Sequence, residues 1–163
     1  LDEANAAGLD ARGYWEADTH FTLETILPEH APDIIEGIRR RVAAGKDEIL
    51  IAPYNNGMFG SMTADEVRAA LGWAVSNPWG SGARDLFGKV VPFVRPQEYM
   101  FTPGLVPLLR DAGMEGLVLA YSSFPFTTFS TWVPPLPPEQ RFGVTRLRTE
   151  PDGERIVLFP SVS

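Results

Sequence analysis

The chain has 163 residues, 44% of them hydrophobic and 21% charged, which suits one globular domain with a single core. Fourteen basic against twenty-one acidic side chains give a net charge of −7, which argues against a nucleic-acid-binding protein. The absence of cysteine excludes disulfides and zinc–thiolate sites, and two histidines exclude a three-histidine metal site, so we predict neither metal nor cofactor.

No apolar run approaches the roughly 18 residues that a membrane span requires, and no signal-like segment is visible. The chain begins at Leu1 rather than Met, so the sequence leaves the compartment open, with a slight preference for the cytoplasm. The oligomeric state is open as well. Residues 1–12 are rich in Ala, Gly, Asp and Asn, and we interpret them as linker-like or as a frayed helix.

The first clear element is a helix that begins at Pro32 and ends at Gly45, a residue suited to a left-handed helix end. Its apolar residues recur with helical spacing, and the basic cluster at residues 39–41 is interpreted as a solvated helix face. The apolar run at residues 48–53 then predicts a buried strand.

A second helix is predicted from Thr63, because Thr63 and Glu66 form a capping-box pattern, and it ends before Pro78. Residues 89–94 predict a second strand. A third helix is expected from Thr102 to Gly113, bent or shortened by Pro107, and residues 116–121 predict a third strand.

This alternation of helix and strand predicts an α/β fold with parallel strands, in a sheet or a barrel. Residues 144–148 and 155–159, joined through a turn-forming segment, predict a C-terminal β-hairpin. We interpret residues 1–163 as one domain, with a β/α core at 31–121 and an aromatic, proline-rich loop plus hairpin at 122–163.

Polar and aromatic residues follow the predicted strands, where ligands bind in parallel α/β folds. Aromatic faces stack on sugar rings and planar polar groups bind hydroxyls, so this set predicts a sugar site. The candidate substrate-binding residues are Tyr54, Asn55, Asn56, Arg95, Gln97, Tyr99, Tyr121, Trp79, Trp132 and His20.

Glu98 is the candidate catalytic residue, as the carboxylate that follows the second strand. The alternative is a structural role, in a salt bridge with Arg95 or as a cap for the following helix. Trp79 and Trp132 lie in loops and are the better stacking candidates, whereas Trp73 lies in a helical stripe and is expected in the core. His20 is equally suited to binding substrate or to packing beneath the loops that follow the strands.

Two segments carry a resemblance to a known family. Residues 45–53 read Gly-Lys-Asp-Glu-Ile-Leu-Ile-Ala-Pro, and residues 94–113 read Val-Arg-Pro-Gln-Glu-Tyr-Met-Phe-Thr-Pro-Gly-Leu-Val-Pro-Leu-Leu-Arg-Asp-Ala-Gly. Together they resemble glycoside hydrolase family 57, with its Gly-x-x-Glu-Ile segment, its glutamate-bearing segment, a proline, a leucine-rich helix and an acidic-Ala-Gly end. The resemblance covers residues 31–121 and implies that Glu98 is the nucleophile.

The fold that the resemblance implies is an incomplete (β/α)7 barrel, related to family 38 mannosidases and polysaccharide deacetylases. A full barrel needs roughly 250 residues, so we expect this chain to be part of a larger barrel or a shrunken relative without activity. The loop after residue 53 contains no histidine, so metal-dependent deacetylation is not expected.

Two functions follow from these expectations. The first is a glycoside hydrolase or glucanotransferase that acts on an oligo- or polysaccharide by a retaining mechanism. Arg95 would then orient Glu98 or lower its pKa. The second is a catalytically inactive barrel relative that binds a glycan or a protein, with the aromatic segment 121–132 as its recognition surface.

Overall fold

A parallel sheet organises the computed structural model, which describes residues 1–120, 137, 139, 143–148, 153 and 155–161. Within these ranges the strands are β1 (Gly13–Trp15), β2 (Asp47–Ile49), β3 (Phe93–Val94), β4 (Gly116–Ala120), β5 (Thr145–Arg148) and β6 (Arg155–Ser161). The α-helices are α1 (Asp2–Ala6), α2 (Leu27–His30), α3 (Pro32–Ala43), α4 (Ala64–Val75), α5 (Ala83–Phe87) and α6 (Leu105–Asp111). A π-helix spans Thr19–Ile26, and 3₁₀ turns span Phe59–Ser61 and Gln97–Tyr99.

The strands follow the order β1-β2 and β3-β4-β6-β5, and a parallel bridge between Ile51 and Val94 joins the two groups. The pairs β1–β2, β3–β4 and β4–β6 are parallel, as the alternation of elements predicted. Strands β5 and β6 pair antiparallel, which confirms the predicted C-terminal hairpin pairing. The described residues form an open sheet and do not close a barrel.

The hydrophobic core lies on one face of the sheet. Alternate strand residues point to opposite faces, and Ile49, Ile51, Val94, Leu117 and Leu158 are all buried on this face. Helices α3, α4 and α6 cover them with their own apolar stripes, which include Ile38, Leu71 and Leu109. The opposite face of the sheet is therefore left to line a cavity.

The helix ends follow the sequence signals closely. Thr63 and Glu66 form the reciprocal capping box at the start of α4. Helix α6 begins at Leu105, three residues after the expected start at Thr102, so Pro107 lies in its first turn. A first-turn residue has no intrahelical partner for its N–H, so this proline is accommodated rather than bending the helix.

The N-terminal segment, interpreted from sequence as linker-like or as a frayed helix, contains a short helix. Residues 2–6 form helix α1, and Arg41 of α3 donates hydrogen bonds to Asp2 at 2.5 Å and to Asn5 at 2.8 Å. Arg41 is buried and also binds Asp47, so the interpretation of residues 39–41 as a solvated face is wrong for this member. Arg41 points inward because its guanidinium pairs with the buried carboxylate of Asp47, at the start of β2.

No helix among the described residues has the length and apolar character needed to cross a membrane.

Candidate functional site

The site lies at the carboxyl ends of the first three strands, where parallel α/β folds bind ligands. Glu16 follows β1 directly, Tyr54 follows the bridge residue Ile51 of the second strand segment, and Arg95 follows β3. The sequence predicted two of these three positions. Glu16 was missed because the three-residue strand before it carries too short a pattern to be recognised.

A cavity of about 760 Å³ lies against the face of the sheet opposite the core. Tyr14, Glu16, Glu48, Phe93, Arg95 and Tyr99 are among the side chains that line it. The rings of Phe93 and Phe159 meet edge to face there, with centroids 5.0 Å apart. The cavity therefore combines two carboxyl groups, one guanidinium and several aromatic rings, a set that suits a sugar substrate.

Arg95 and Glu16 form an ion pair across the second strand, inside the cavity. The guanidinium of Arg95 also lies over the ring of Tyr99, 4.5 Å from its centroid. Burial raises the pKa of Glu16 more than the charge of Arg95 lowers it. Arg95 thus faces the cavity, where it binds Glu16 and Tyr99. The expectation that it orients Glu98 is not met, because the pleat points Arg95 into the cavity.

Glu98 lies in the 3₁₀ turn after β3 and is exposed. Its backbone and that of Tyr99 are both left-handed, with φ of 52° and 53°. Two successive non-glycine residues in this region carry backbone strain, which is typical of functional sites. Gln97 donates a hydrogen bond from Nε2 to Oε1 of Glu98 at 3.1 Å. This turn brings Gln97, Glu98 and Tyr99 together beside the cavity that Tyr99 lines.

A second group of predicted residues gathers around Glu24, in the π-helix after β1. Glu24 accepts hydrogen bonds from the hydroxyls of Ser81 at 2.5 Å and Tyr54 at 3.0 Å, and it lies 3.3 Å from Nδ1 of His20. Burial raises the pKa of Glu24, but the bonds from Ser81, Tyr54 and His20 outweigh burial and lower it. Its carboxylate is therefore ionised at neutral pH.

Two tryptophan rings lie against Tyr54, which binds this carboxylate. We name the group the Glu24 cluster; its members are His20, Glu24, Tyr54, Trp73, Asn77, Trp79 and Ser81. Trp73 was expected in the core, but its side chain is at the surface and the residue is 44% exposed. Helical spacing alone did not show which way Trp73 points. Its side chain leaves α4 on the side that contacts Tyr54 and Trp79.

The remaining predicted residues lie elsewhere. Asn55 and Asn56 are exposed in the turn after Tyr54, where Asn56 adopts a left-handed backbone with φ of 56°. Neither is among the residues that line the cavity. Tyr121 and Trp132, and with them the whole segment 121–132, lie outside the described residues. The residues that the sequence did not indicate are Glu16, Glu24, Asn77 and Ser81.

The described residues contain no group of three or more His, Asp or Glu side chains arranged to bind a metal ion.

Comparison with known proteins is informative at the level of fold. No protein-family model matches the chain, and no curated protein matches it. The 4-alpha-glucanotransferase from Thermococcus litoralis aligns with a TM-score of 0.73 and 21% identity, over 94% of this chain and 22% of that one. A protein described as a polysaccharide deacetylase, from Mycobacterium smegmatis, aligns with a TM-score of 0.62 and 17% identity, over 99% and 42%.

The alpha-amylase AmyC from Thermotoga maritima aligns with a TM-score of 0.54 and 17% identity, over 82% of this chain and 23% of that one. The chain thus spans less than half the length of each of these three proteins. The chain shares the α/β fold of the matching part of three proteins whose names are those of carbohydrate-active enzymes.

Proposed function

We propose that this chain carries part of the active site of a carbohydrate-active enzyme, which cleaves or transfers a glycosidic bond of an oligo- or polysaccharide. The observation that carries the proposal is the left-handed turn at Glu98 and Tyr99, beside a cavity lined by aromatic and carboxyl side chains. The fold shared with a 4-alpha-glucanotransferase and an alpha-amylase supports an α-linked glucan as the first substrate to test.

In the proposed mechanism Glu98 attacks the anomeric carbon and forms a glycosyl–enzyme intermediate, while a carboxylic acid about 5 Å away protonates the leaving oxygen. Water or a sugar hydroxyl then attacks the anomeric carbon and gives its proton to the carboxylate of the former donor, which breaks the bond to Glu98 and retains the configuration. Of the carboxyl groups that line the cavity, Glu16 has the raised pKa that a proton donor requires. Gln97 holds the carboxylate of Glu98 by its amide.

The cavity supplies the surfaces that would hold the sugar. Tyr14, Phe93 and Tyr99 present aromatic rings to a pyranose, and Arg95 and Glu48 present polar groups to its hydroxyls. Arg95 also pairs with Glu16, and its charge limits how far burial raises the pKa of that carboxyl.

The test is the substitution Glu98→Gln, which removes the nucleophile and keeps the shape of the side chain. Turnover of amylose and of maltooligosaccharides, measured by release of reducing ends or by chain-length redistribution, should fall by about a thousandfold or more. Azide should restore turnover to Glu98→Gly, because it can occupy the place of the missing carboxylate.

The matched control is Glu115→Gln, the same change at an exposed carboxylate. Glu115 directly precedes β4 and so lies at the amino end of that strand, whereas the site lies at the carboxyl ends of the strands. It should retain full turnover, and both variants should unfold at the wild-type temperature. Wild-type turnover by Glu98→Gln would remove Glu98 from the mechanism.

A second candidate function is a glycan-binding module without catalysis. The exposed tryptophans of the Glu24 cluster favour it, because they offer a binding surface that does not depend on Glu98. Glycan binding by a wild-type protein that turns over no oligosaccharide would support this alternative.

A further inference from the structure

The Glu24 cluster is separate from the cavity: none of its members is among the residues that line the cavity. It forms where the π-helix after β1, the turn that contains Tyr54, the C-terminal half of α4 and the loop between α4 and α5 meet. His20 and Tyr54 are joined there by a backbone hydrogen bond of 2.8 Å between the amide of His20 and the carbonyl of Tyr54. The cluster is thus built by four segments of the chain and is not a feature of one loop.

Two tryptophans present large aromatic surfaces to solvent at this point. Trp79 is 62% exposed and lies nearly parallel to the ring of Tyr54, with centroids 6.3 Å apart and planes 22° apart. Trp73 stands edge-on to both rings, at 5.4 Å from Tyr54 and 5.8 Å from Trp79. Trp79 is therefore offset-stacked beside Tyr54, and most of its side chain remains open to solvent.

Hydrogen bonds fix the loop that carries Trp79. The side-chain oxygen of Asn77 accepts from the backbone amides of Trp79 at 3.1 Å and Ser81 at 3.2 Å. The amide nitrogen of Asn77 donates to the carbonyl of Trp73 at 3.1 Å and to Glu24 at 3.4 Å. The ionised Glu24 thereby ties the Trp79 loop to the π-helix, so the exposed ring is held in place before any ligand arrives.

This arrangement has the features of a carbohydrate-binding platform. A rigid ring loses little conformational entropy when a ligand stacks on it, so the order imposed by Asn77 and Glu24 favours binding. A pyranose offers an apolar C–H face to such a ring and hydroxyls to the polar groups at its edge. The net charge of −7 opposes a nucleic acid, whose bases would also stack.

We propose that the Glu24 cluster is a second glycan-binding site, in which a neutral sugar unit stacks on the exposed face of Trp79 and lies against the edge of Trp73. The exposed imidazole of His20 provides a hydrogen-bonding group beside the rings. The inference shares the carbohydrate substrate class of the proposed function, but it does not require Glu98 to be catalytic.

The test measures binding of amylose by affinity electrophoresis, with all variants made in the Glu98→Gln background so that no substrate is consumed. Trp79→Ala should weaken binding by about tenfold, because the apolar C–H face of the sugar loses its aromatic contact. Trp79→Phe keeps a ring and should recover part of this loss. Leu9→Ala removes an equally exposed apolar side chain outside the cluster and should bind like the parent.

Equal binding by the Trp79→Ala variant and its parent overturns the inference, and so does a parent that binds none of amylose, cellulose oligomers and chitin oligomers. The inference is also overturned if Trp79 is required for binding a protein partner and none of these glycans binds. Loss of turnover in Glu98→Gln tests the proposed function alone, so the two can fail independently.

Discussion

Two features of its surroundings shift the pKa of Glu16 in opposite directions. It faces the cavity, where loss of water favours the neutral carboxyl, and it pairs with Arg95, which favours the charged carboxylate. Burial is the larger influence, so the pKa of Glu16 is raised. The stability that this carboxyl contributes is therefore fully present below its unfolded pKa of about 4.3 and is lost as pH rises through its folded pKa.

Arg95→Met should raise the pKa of Glu16 further, because the substitution removes the positive charge that opposes burial and keeps a side chain of similar length. The measurement is a carboxyl ¹³C NMR titration of both proteins. Arg146→Met, on the exposed face of β5, is the control and should leave the pKa of Glu16 unchanged. A Glu16 pKa that falls below about 4.3 in the wild type would contradict the dominance of burial.

Residue types were easier to predict than residue partners. The sequence indicated Tyr54, Trp79 and His20 as binding residues, and the structure does bring these three together, but around Glu24 and not around Glu98. Partners depend on side-chain direction, which is decided by the pleat of each strand and by the left-handed backbone at Glu98. Neither can be read from the order of residues alone.

At the scale of elements, the N-terminal helix is joined to the sheet through a buried polar network. Asp47, at the start of β2, accepts hydrogen bonds from Arg41 at 2.7 and 2.8 Å, from Trp15 at 2.7 Å and from the amide of Gly13 at 3.0 Å. Arg41 lowers the pKa of Asp47 to about 2. The carboxylate therefore connects β1, β2 and α3, and the guanidinium of Arg41 extends the network to α1.

Asp47→Asn should destabilise the fold by about 3 kcal/mol, because it leaves the buried guanidinium of Arg41 without its main counter-ion. Since the folded pKa of Asp47 is depressed, its contribution is present above the unfolded pKa of about 3.9 and is lost as pH falls through about 2. Urea unfolding at neutral and acid pH measures both effects, and the variant should lose part of the acid dependence.

Asp10→Asn is the matched control for this substitution. Asp10 pairs with Lys46 and Arg12, but it is exposed, and exposed ion pairs contribute only about 0–1 kcal/mol. A loss as large as that of Asp47→Asn would mean that the N-terminal segment, and not the buried carboxylate, sets the stability.

Elements with strong local signals were predictable, and those held by distant contacts were not. Helix α4 has its capping box and α3 has its apolar stripe, and both occur where expected. Helix α1 and strand β1 have five and three residues, too few for a periodic pattern to stand out. They depend on Arg41 and Asp47, which lie more than thirty residues further along the chain.

At the scale of the whole molecule, the sheet separates a packed side from an open side. Buried apolar residues alternate with residues that line the cavity, as in β2, where Ile49 is buried and Glu48 faces the cavity. The parallel order of strands was predictable from the alternation of helix and strand. The cavity was not, because its shape depends on how side chains of neighbouring strands fit together.

Gly116 shows this fit most directly and supports a last prediction. It opens β4 beside Phe93 of β3, and a Cβ atom at Gly116 would lie 2.0 Å from Cε1 of the Phe93 ring. Gly116→Ala should therefore displace that ring, disturb its contact with Phe159 and cost on the order of 1–3 kcal/mol in urea unfolding. The control is Gly37→Ala in α3, where the added methyl meets no atom within 4 Å and should stabilise the helix by up to about 1 kcal/mol. A variant with the wild-type free energy of unfolding would contradict this prediction. It would mean that the Phe93 ring moves to a second position in the cavity at no cost in stability. Glycan binding in the cavity should then weaken even though the fold does not.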